Sequence, residues 1–214
     1  MTDFLFDGPA EAGIVIALAH GAGAAMDSDF MNYFALGLAA QGFRVARFEF
    51  PYMAKRREDG KRRPPDRAPV LQDTYRSVAV ALGPDRLVVA GKSMGGRIAS
   101  TVADECGVAG LVCLGYPFHP PGKPDRLRTA HLESLRTPAL VLQGECDPFG
   151  RREEVEGYRL SDAIAVDYLP DGDHDLRPRK ASGRTHAQNL GDALDRFAAF
   201  AGQIGDHRGA AASL

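Results

Sequence analysis

Six short apolar runs, separated by longer segments of helical pattern, constrain this chain more than any other feature. They are Ile14–Ala19, Phe43–Phe48, Leu87–Ala90, Ala109–Leu114, Ala139–Leu142 and Ile164–Tyr168. Most are near-continuous rather than alternating, which is how strands read when both faces of a sheet are covered. Between them, Phe30–Ala40, Val70–Leu82, Met94–Glu105 and Arg184–Ala201 space their apolar residues as helices do. The alternation predicts an α/β fold: a doubly wound, mostly parallel sheet with helices on both faces. Right-handed crossovers then gather the functional loops at the carboxyl ends of the strands.

A length of 214 residues suits one continuous core. We expect a single domain over residues 1–204 and a flexible tail over 205–214. Two stretches break the rhythm and read as loops: Lys55–Pro69, rich in Lys and Arg, and Tyr116–Asp125, rich in Pro and Gly. A formal net charge of -2 argues against a nucleic-acid partner. No run approaches the roughly 18 apolar residues of a membrane helix. The opening Met1-Thr2-Asp3-Phe4-Leu5 has no pattern of a secretory signal, so a cytoplasmic location is expected. Cys106, Cys113 and Cys146 fit neither a disulfide framework nor a zinc site, and read as small apolar residues.

The strongest chemical signal is Gly91-Lys92-Ser93-Met94-Gly95-Gly96, between the apolar run Leu87–Ala90 and a helical segment. A serine on a very sharp strand-to-helix turn is exposed but strained, and flanking glycines remove side chains that would collide there. The following helix aims its N-terminal amides at the serine. Gly91-Lys92-Ser93 also resembles the end of a phosphate-binding loop. That motif needs a glycine five residues earlier, where Arg86 stands. Three further elements sit at predicted strand ends: His20-Gly21-Ala22-Gly23, the acid Asp147 in Gly144-Glu145-Cys146-Asp147-Pro148, and His174 in Asp171-Gly172-Asp173-His174-Asp175. Glu145 competes with Asp147 but reads as a solvated turn residue. His20 is expected to brace its loop by hydrogen bonding. Asp173 and Asp175 lack a second histidine at ligand spacing, so no metal is expected.

At these elements the sequence resembles the α/β-hydrolase superfamily. It is similar in particular to the small dienelactone-hydrolase-like branch that includes a testis-expressed protein and the hydrolase-like part of an NSL chromatin complex subunit. The resemblance runs from about Ile14 to about Phe200. It is carried by HGAGAAMDSDFM, RFEFPYMAKRRE, GKSMGGR, GYPFHPPGKPDRLRTAHL, LQGECDPFG and DGDHDL. It implies the hydrolase fold without a large lid, and a triad of Ser93, Asp147 and His174 in the chain order these hydrolases use. The oxyanion hole then takes the amide of Met94 and one from the loop after the first parallel strand, Ala22 or its neighbour Gly21. Dienelactone hydrolases proper use a cysteine nucleophile where this chain has Ser93, which argues against dienelactone as the substrate. The short stretch before Ile14 suggests that a superfamily strand or two is missing or abbreviated.

The expected activity is hydrolysis of an ester, thioester or similar acyl bond through an acyl-enzyme, with a small-molecule acyl substrate and no cofactor. Met26, Phe30, Tyr52, Met53, Tyr116, Phe118 and His119 lie on segments that should crown the strand ends, and are the expected pocket. An alternative is a catalytically idle protein-interaction module on the same fold. The basic stretch Lys55–Arg67 carries seven cationic residues and follows a strand whose end should share the rim with Ser93. It is expected to be solvated surface, or else a cationic rim for anionic acyl groups.

Overall fold

The computed structural model describes residues 3–211, with side-chain surroundings described as far as residue 206. In chain order the elements are β1 (Phe4–Asp7), β2 (Val15–Ala19), α1 (Asp29–Ala40), β3 (Arg44–Phe48), α2 (Pro51–Asp59) and α3 (Ala68–Leu82). They continue with β4 (Leu87–Lys92), α4 (Met94–Cys106), β5 (Gly110–Leu114), β6 (Ala139–Gly144), α5 (Arg152–Val155), β7 (Ile164–Leu169) and α6 (His186–Ala211). The strands form a seven-stranded sheet of order β1-β3-β2-β4-β5-β6-β7. β1 runs antiparallel to β3, and the other pairs are parallel. No lid domain interrupts the described residues.

The six apolar runs are the six parallel strands, and β2, β4, β5 and β6 are buried along almost their whole length. Alternate side chains feed two cores. Ala17, Val89, Leu111 and Val141 face Tyr75 and Val78 of α3 and Ile98 and Val102 of α4. Ile16, Leu18, Val88, Val112 and Leu140 face Phe34 and Leu38 of α1 and Leu190 and Phe197 of α6. Covering on both faces is what removes the polar alternation from these strands.

The stretch before Ile14 holds one four-residue strand, β1, which pairs Phe4 with Phe48 and Asp7 with Val45. Two expectations need correction. Part of the expected loop Lys55–Pro69 is helix α2. Pro51 opens it, and Gly60, at a left-handed φ of 72°, closes it by donating its amide to the Arg56 carbonyl. The final helix extends to Ala211, into the expected tail, and residues 212–214 lie outside the described residues. No described helix is long and apolar enough to cross a membrane.

Strand order places the site. The chain winds from β2 outward to β3, then returns past β2 to β4, so β2 and β4 are neighbours whose following loops diverge to opposite faces. Ala19 pairs with Gly91 at their carboxyl ends. The crevice at such a reversal is where open α/β sheets bind ligands. It sets His20–Gly23 beside Ser93.

Candidate active site

Ser93 sits between β4 and α4 with φ 52° and ψ -112°, a conformation that is costly for a residue with a Cβ. The turn is held by the Ser93 amide, which donates to the Leu114 carbonyl at 3.0 Å, and by Arg97 N–H, which donates to the Ser93 carbonyl at 3.0 Å. Its glycines are steric requirements. A Cβ on Gly91 would lie 2.4 Å from the Gly95 carbonyl carbon, and one on Gly95 would lie 2.7 Å from the His20 carbonyl oxygen. As the first residue of α4, Met94 keeps its amide outside the intrahelical ladder, beside the serine.

The base candidate arrives from the loop after β7. His174 Nε2 lies 2.8 Å from Ser93 Oγ, and Nδ1 lies 2.8 Å from Asp147 Oδ2. Asp147 is fully buried, while Ser93 and His174 are half-buried at the cleft. Because an ionised carboxylate only accepts, Nδ1 carries the proton and Nε2 offers its lone pair to the serine hydroxyl. That tautomer can take a proton from Oγ and leave an imidazolium against a buried carboxylate. Glu145, the competing acid, accepts from the Asp171 amide at 2.8 Å and pairs with Arg152 at 3.0 Å. It has no role at the imidazole. Asp173 Oδ1 accepts from the amides of Asp175 and Arg177, both at 2.9 Å, and so shapes the histidine loop. Among the described residues no cluster of His, Cys, Asp and Glu could hold a metal ion.

Three side chains that sequence reasoning left without a role complete the arrangement. Gln143, fully buried on β6, donates from Nε2 to Asp147 Oδ2 at 2.9 Å and accepts from the Tyr116 amide at 2.8 Å. Phe149 packs on the His174 ring, with centroids 4.2 Å apart and planes 33° apart, and its amide donates to Asp147 Oδ1 at 2.8 Å. Lys92 donates from Nζ to the His174 carbonyl at 2.5 Å and pairs with Asp175 at 3.1 Å. Burial pushes the Lys92 amine below its ordinary value, against the pull of Asp175. Gln143 stands four residues before Asp147, Phe149 two after it, and Lys92 directly before Ser93. Adjacency to the motifs was the only available signal.

The cleft over Ser93 holds about 300 Å³ and is lined by Gly21–Ala24, Ser28, Phe30, Met31, Lys92, Phe149, His174 and Asp175. Of the expected pocket side chains it takes Phe30. Met53 lines a second depression of about 330 Å³ with Arg56, Arg57, Asp27 and Glu49, which meets the cleft along Gly23, Ala24 and Ser28. Met26 lies outside the lining of both. Its amide lies 3.5 Å from Glu49 Oε1 and its carbonyl accepts from Arg47. Tyr52, Tyr116, Phe118 and His119 are buried and lie outside the lining of these two depressions. Tyr116 packs against Phe118 with centroids 4.7 Å apart, its amide drawn inward by Gln143. His119 is held by the Pro120 carbonyl at 2.9 Å. Tyr52 lies behind the His20–Gly23 loop. His20 braces that loop: Nε2 accepts from the Phe50 amide at 3.2 Å and Nδ1 donates to the Gly21 carbonyl at 2.6 Å. Burial holds its pKa below the usual value, so the imidazole stays neutral.

Two of the seven cations in the segment Lys55–Arg67 are held in ion pairs. Arg57 is shared between Asp27 and Glu49, and Arg63 pairs with Asp59. Arg56, with one 3.4 Å contact to the Gly23 carbonyl, has no carboxylate partner among the described residues.

Over residues 12–202 the chain matches the family model of an alpha/beta hydrolase domain. Among solved structures it is similar to an alpha-beta serine hydrolase homologue from Coxiella burnetii, at 17% identity and a TM-score of 0.70, over 92% of this chain and 90% of that one. It is similar to a serine hydrolase without a lid from Xanthomonas campestris, at 21% identity and a TM-score of 0.66, over 91% and 87%. It is also similar to a dienelactone hydrolase from Anabaena variabilis, at 20% identity and a TM-score of 0.66, over 89% and 88%. At these identities the structures speak for a shared fold, and the family model for descent. With most of its length matched by that model, the chain belongs to the alpha/beta hydrolase family.

Proposed function

We propose that the chain is a serine hydrolase that cleaves an ester, thioester or similar acyl bond of a small molecule. The observation that carries this reading is the continuous hydrogen-bonded path from Ser93 Oγ through His174 to buried Asp147, at the floor of an open cleft. Ser93 Oγ attacks the acyl carbonyl as its proton passes to His174 Nε2. Asp147 stabilises the imidazolium, and the amides of Met94 and Ala22 take the oxyanion. The imidazolium gives its proton to the leaving group. Water, deprotonated by His174, then releases the acyl group and restores Ser93. No cofactor enters these steps.

A cleft of about 300 Å³ with no lid over it suits a short or extended acyl group better than an enclosed lipid chain. The motifs shared with the dienelactone-hydrolase-like branch support the same chemistry, and the proposed setting is cytoplasmic. Labelling with a fluorophosphonate probe, beside a panel of p-nitrophenyl esters, tests the reading. Wild type should label and turn over, and Ser93→Ala should do neither. A folded wild type that neither labels nor hydrolyses any ester would instead favour an idle interaction module.

A further inference from the structure

Two successive peptide units behind Ser93 turn their carbonyls toward the interior. The Gly21 carbonyl accepts from His20 Nδ1 at 2.6 Å and lies 3.4 Å from Tyr52 Oη. The Ala22 carbonyl accepts from Tyr52 Oη at 3.0 Å. In a trans peptide the N–H points opposite to the C=O. The amide of Ala22, paired with the Gly21 carbonyl, and the amide of Gly23, paired with the Ala22 carbonyl, therefore both face away from Tyr52. The side opposite Tyr52 is the cleft, because Gly21, Ala22 and Gly23 line it with Ser93 while Tyr52 is only 2% exposed.

Tyr52 is itself fixed. Its ring packs on His20 with centroids 5.8 Å apart, and its amide donates to Asp66 Oδ2 at 2.8 Å. Burial pushes the phenol above its ordinary range, so the hydroxyl stays a donor at any working pH. Removing that hydroxyl would free the Ala22 carbonyl to rotate, and the Gly23 amide would rotate with it.

We infer that Tyr52 is a positioning residue that clamps the Ala22–Gly23 peptide, and that the Gly23 amide is an oxyanion donor beside those of Met94 and Ala22. This rests on the hydrolase reading above. Preorganised donors act where charge develops, so their loss lowers the rate of the chemical step more than ground-state binding.

The test is fluorophosphonate labelling of the full chain, with kinact and KI measured separately. The probe loses fluoride as Ser93 Oγ bonds to phosphorus, with the Oγ proton taken by His174, and its phosphoryl oxygen occupies the oxyanion position. Tyr52→Phe should lower kinact roughly 10- to 100-fold and leave KI within about twofold. Gly23→Pro deletes the amide itself, at a position where a Cβ meets nothing within 4 Å. It should lower kinact by about 10²- to 10³-fold. Thermal melts establish that each variant is folded. A folded Tyr52→Phe or Gly23→Pro protein with kinact within twofold of wild type overturns the inference. So does a rise in KI at constant kinact, the mark of a merely structural role. A wild type that does not label removes the hydrolase reading and this inference together. A wild type that labels beside unaffected variants removes the inference alone.

Discussion

Gln143 Nε2 donates to the Asp147 oxygen that also accepts from His174 Nδ1, at 2.9 Å and 2.8 Å. One carboxylate oxygen is thus held between a rigid amide and the imidazole, while the Phe149 amide occupies the other oxygen. Asp147 cannot swing without breaking a charge-assisted bond. Gln143→Leu should therefore cost about 1.5–3 kcal/mol of this arrangement, a fall of roughly 10- to 150-fold in kcat/KM. Steady-state kinetics on a p-nitrophenyl ester read it. A variant within twofold of wild type would show that Phe149 alone orients the acid.

Asp147→Asn keeps the shape but offers an amide where the imidazole needs an acceptor. The expected loss is up to about 10⁴-fold in kcat, with the wrong His174 tautomer as its cause. Near-normal turnover would mean that another group orients the ring.

Lys92 couples the serine turn to the histidine loop, and does so at the cost of a buried charge. Removing one partner of an ion pair is costly where the other is left buried, but the Asp175 side chain is 64% exposed and can turn to water, so the substitution chiefly relieves the desolvation of the amine. Lys92→Met should therefore leave stability within about 1 kcal/mol of wild type, or raise it, while kcat falls about tenfold as the His174 loop loosens. Urea denaturation and kinetics on one preparation check the pair of signs. Losses in both together would make Lys92 structural.

Ser93 occupies its strained turn at φ 52°. Ser93→Ala keeps a Cβ and so keeps the strain, whereas Ser93→Gly relieves it. Both should be inactive, yet the glycine variant should be more stable than the alanine variant by about 1 kcal/mol, despite the flexibility glycine adds to the unfolded chain. Equal melting midpoints would show that the turn stores no strain.

His20 links pH to stability. Its folded pKa lies below the ordinary 6.5, because burial disfavours the charged ring and Nε2 is committed to accepting from Phe50. As pH falls below about 6.5 the unfolded chain takes up this proton first. The stabilisation is therefore full above that value and is lost as pH falls toward the folded pKa, by up to about 1.4 kcal/mol per pH unit. Denaturation between pH 7 and 5 should show a shallower slope in His20→Asn than in wild type. Matching slopes would mean that the ring titrates equally in both states.

The parts of the molecule legible in the sequence are those where physics acts locally. β4 and β5 are buried throughout, and apolar but for Lys92, because helices cover both their faces, and Gly91, Gly95 and Gly96 are glycine because backbone fills the space of a Cβ. β1 escaped notice because it is a four-residue edge strand whose central residues are exposed. Helix α2 was hidden by its charge, for its basic residues face outward and only Tyr52 and Met53 are buried. Tyr116 and Phe118 sit near a strand end, as pocket residues do. They turn inward because Gln143 captures the Tyr116 amide, a contact across two strands that no local pattern encodes. Gln143, Lys92 and Phe149 share that fate: each acts through a partner distant in the chain or through a backbone atom.

The sheet order that brings β2 beside β4 also sets a timetable. The serine turn is complete once β5 brings the Leu114 carbonyl to the Ser93 amide, but the imidazole that meets Ser93 lies 81 residues beyond the serine, and Asp147 lies 27 residues before that imidazole. During synthesis the nucleophile is thus assembled early and left without its base until β7 has docked against β6. On the proposed reading the serine stays inert while those 81 residues are made, and acquires reactivity only when the last strand closes the sheet.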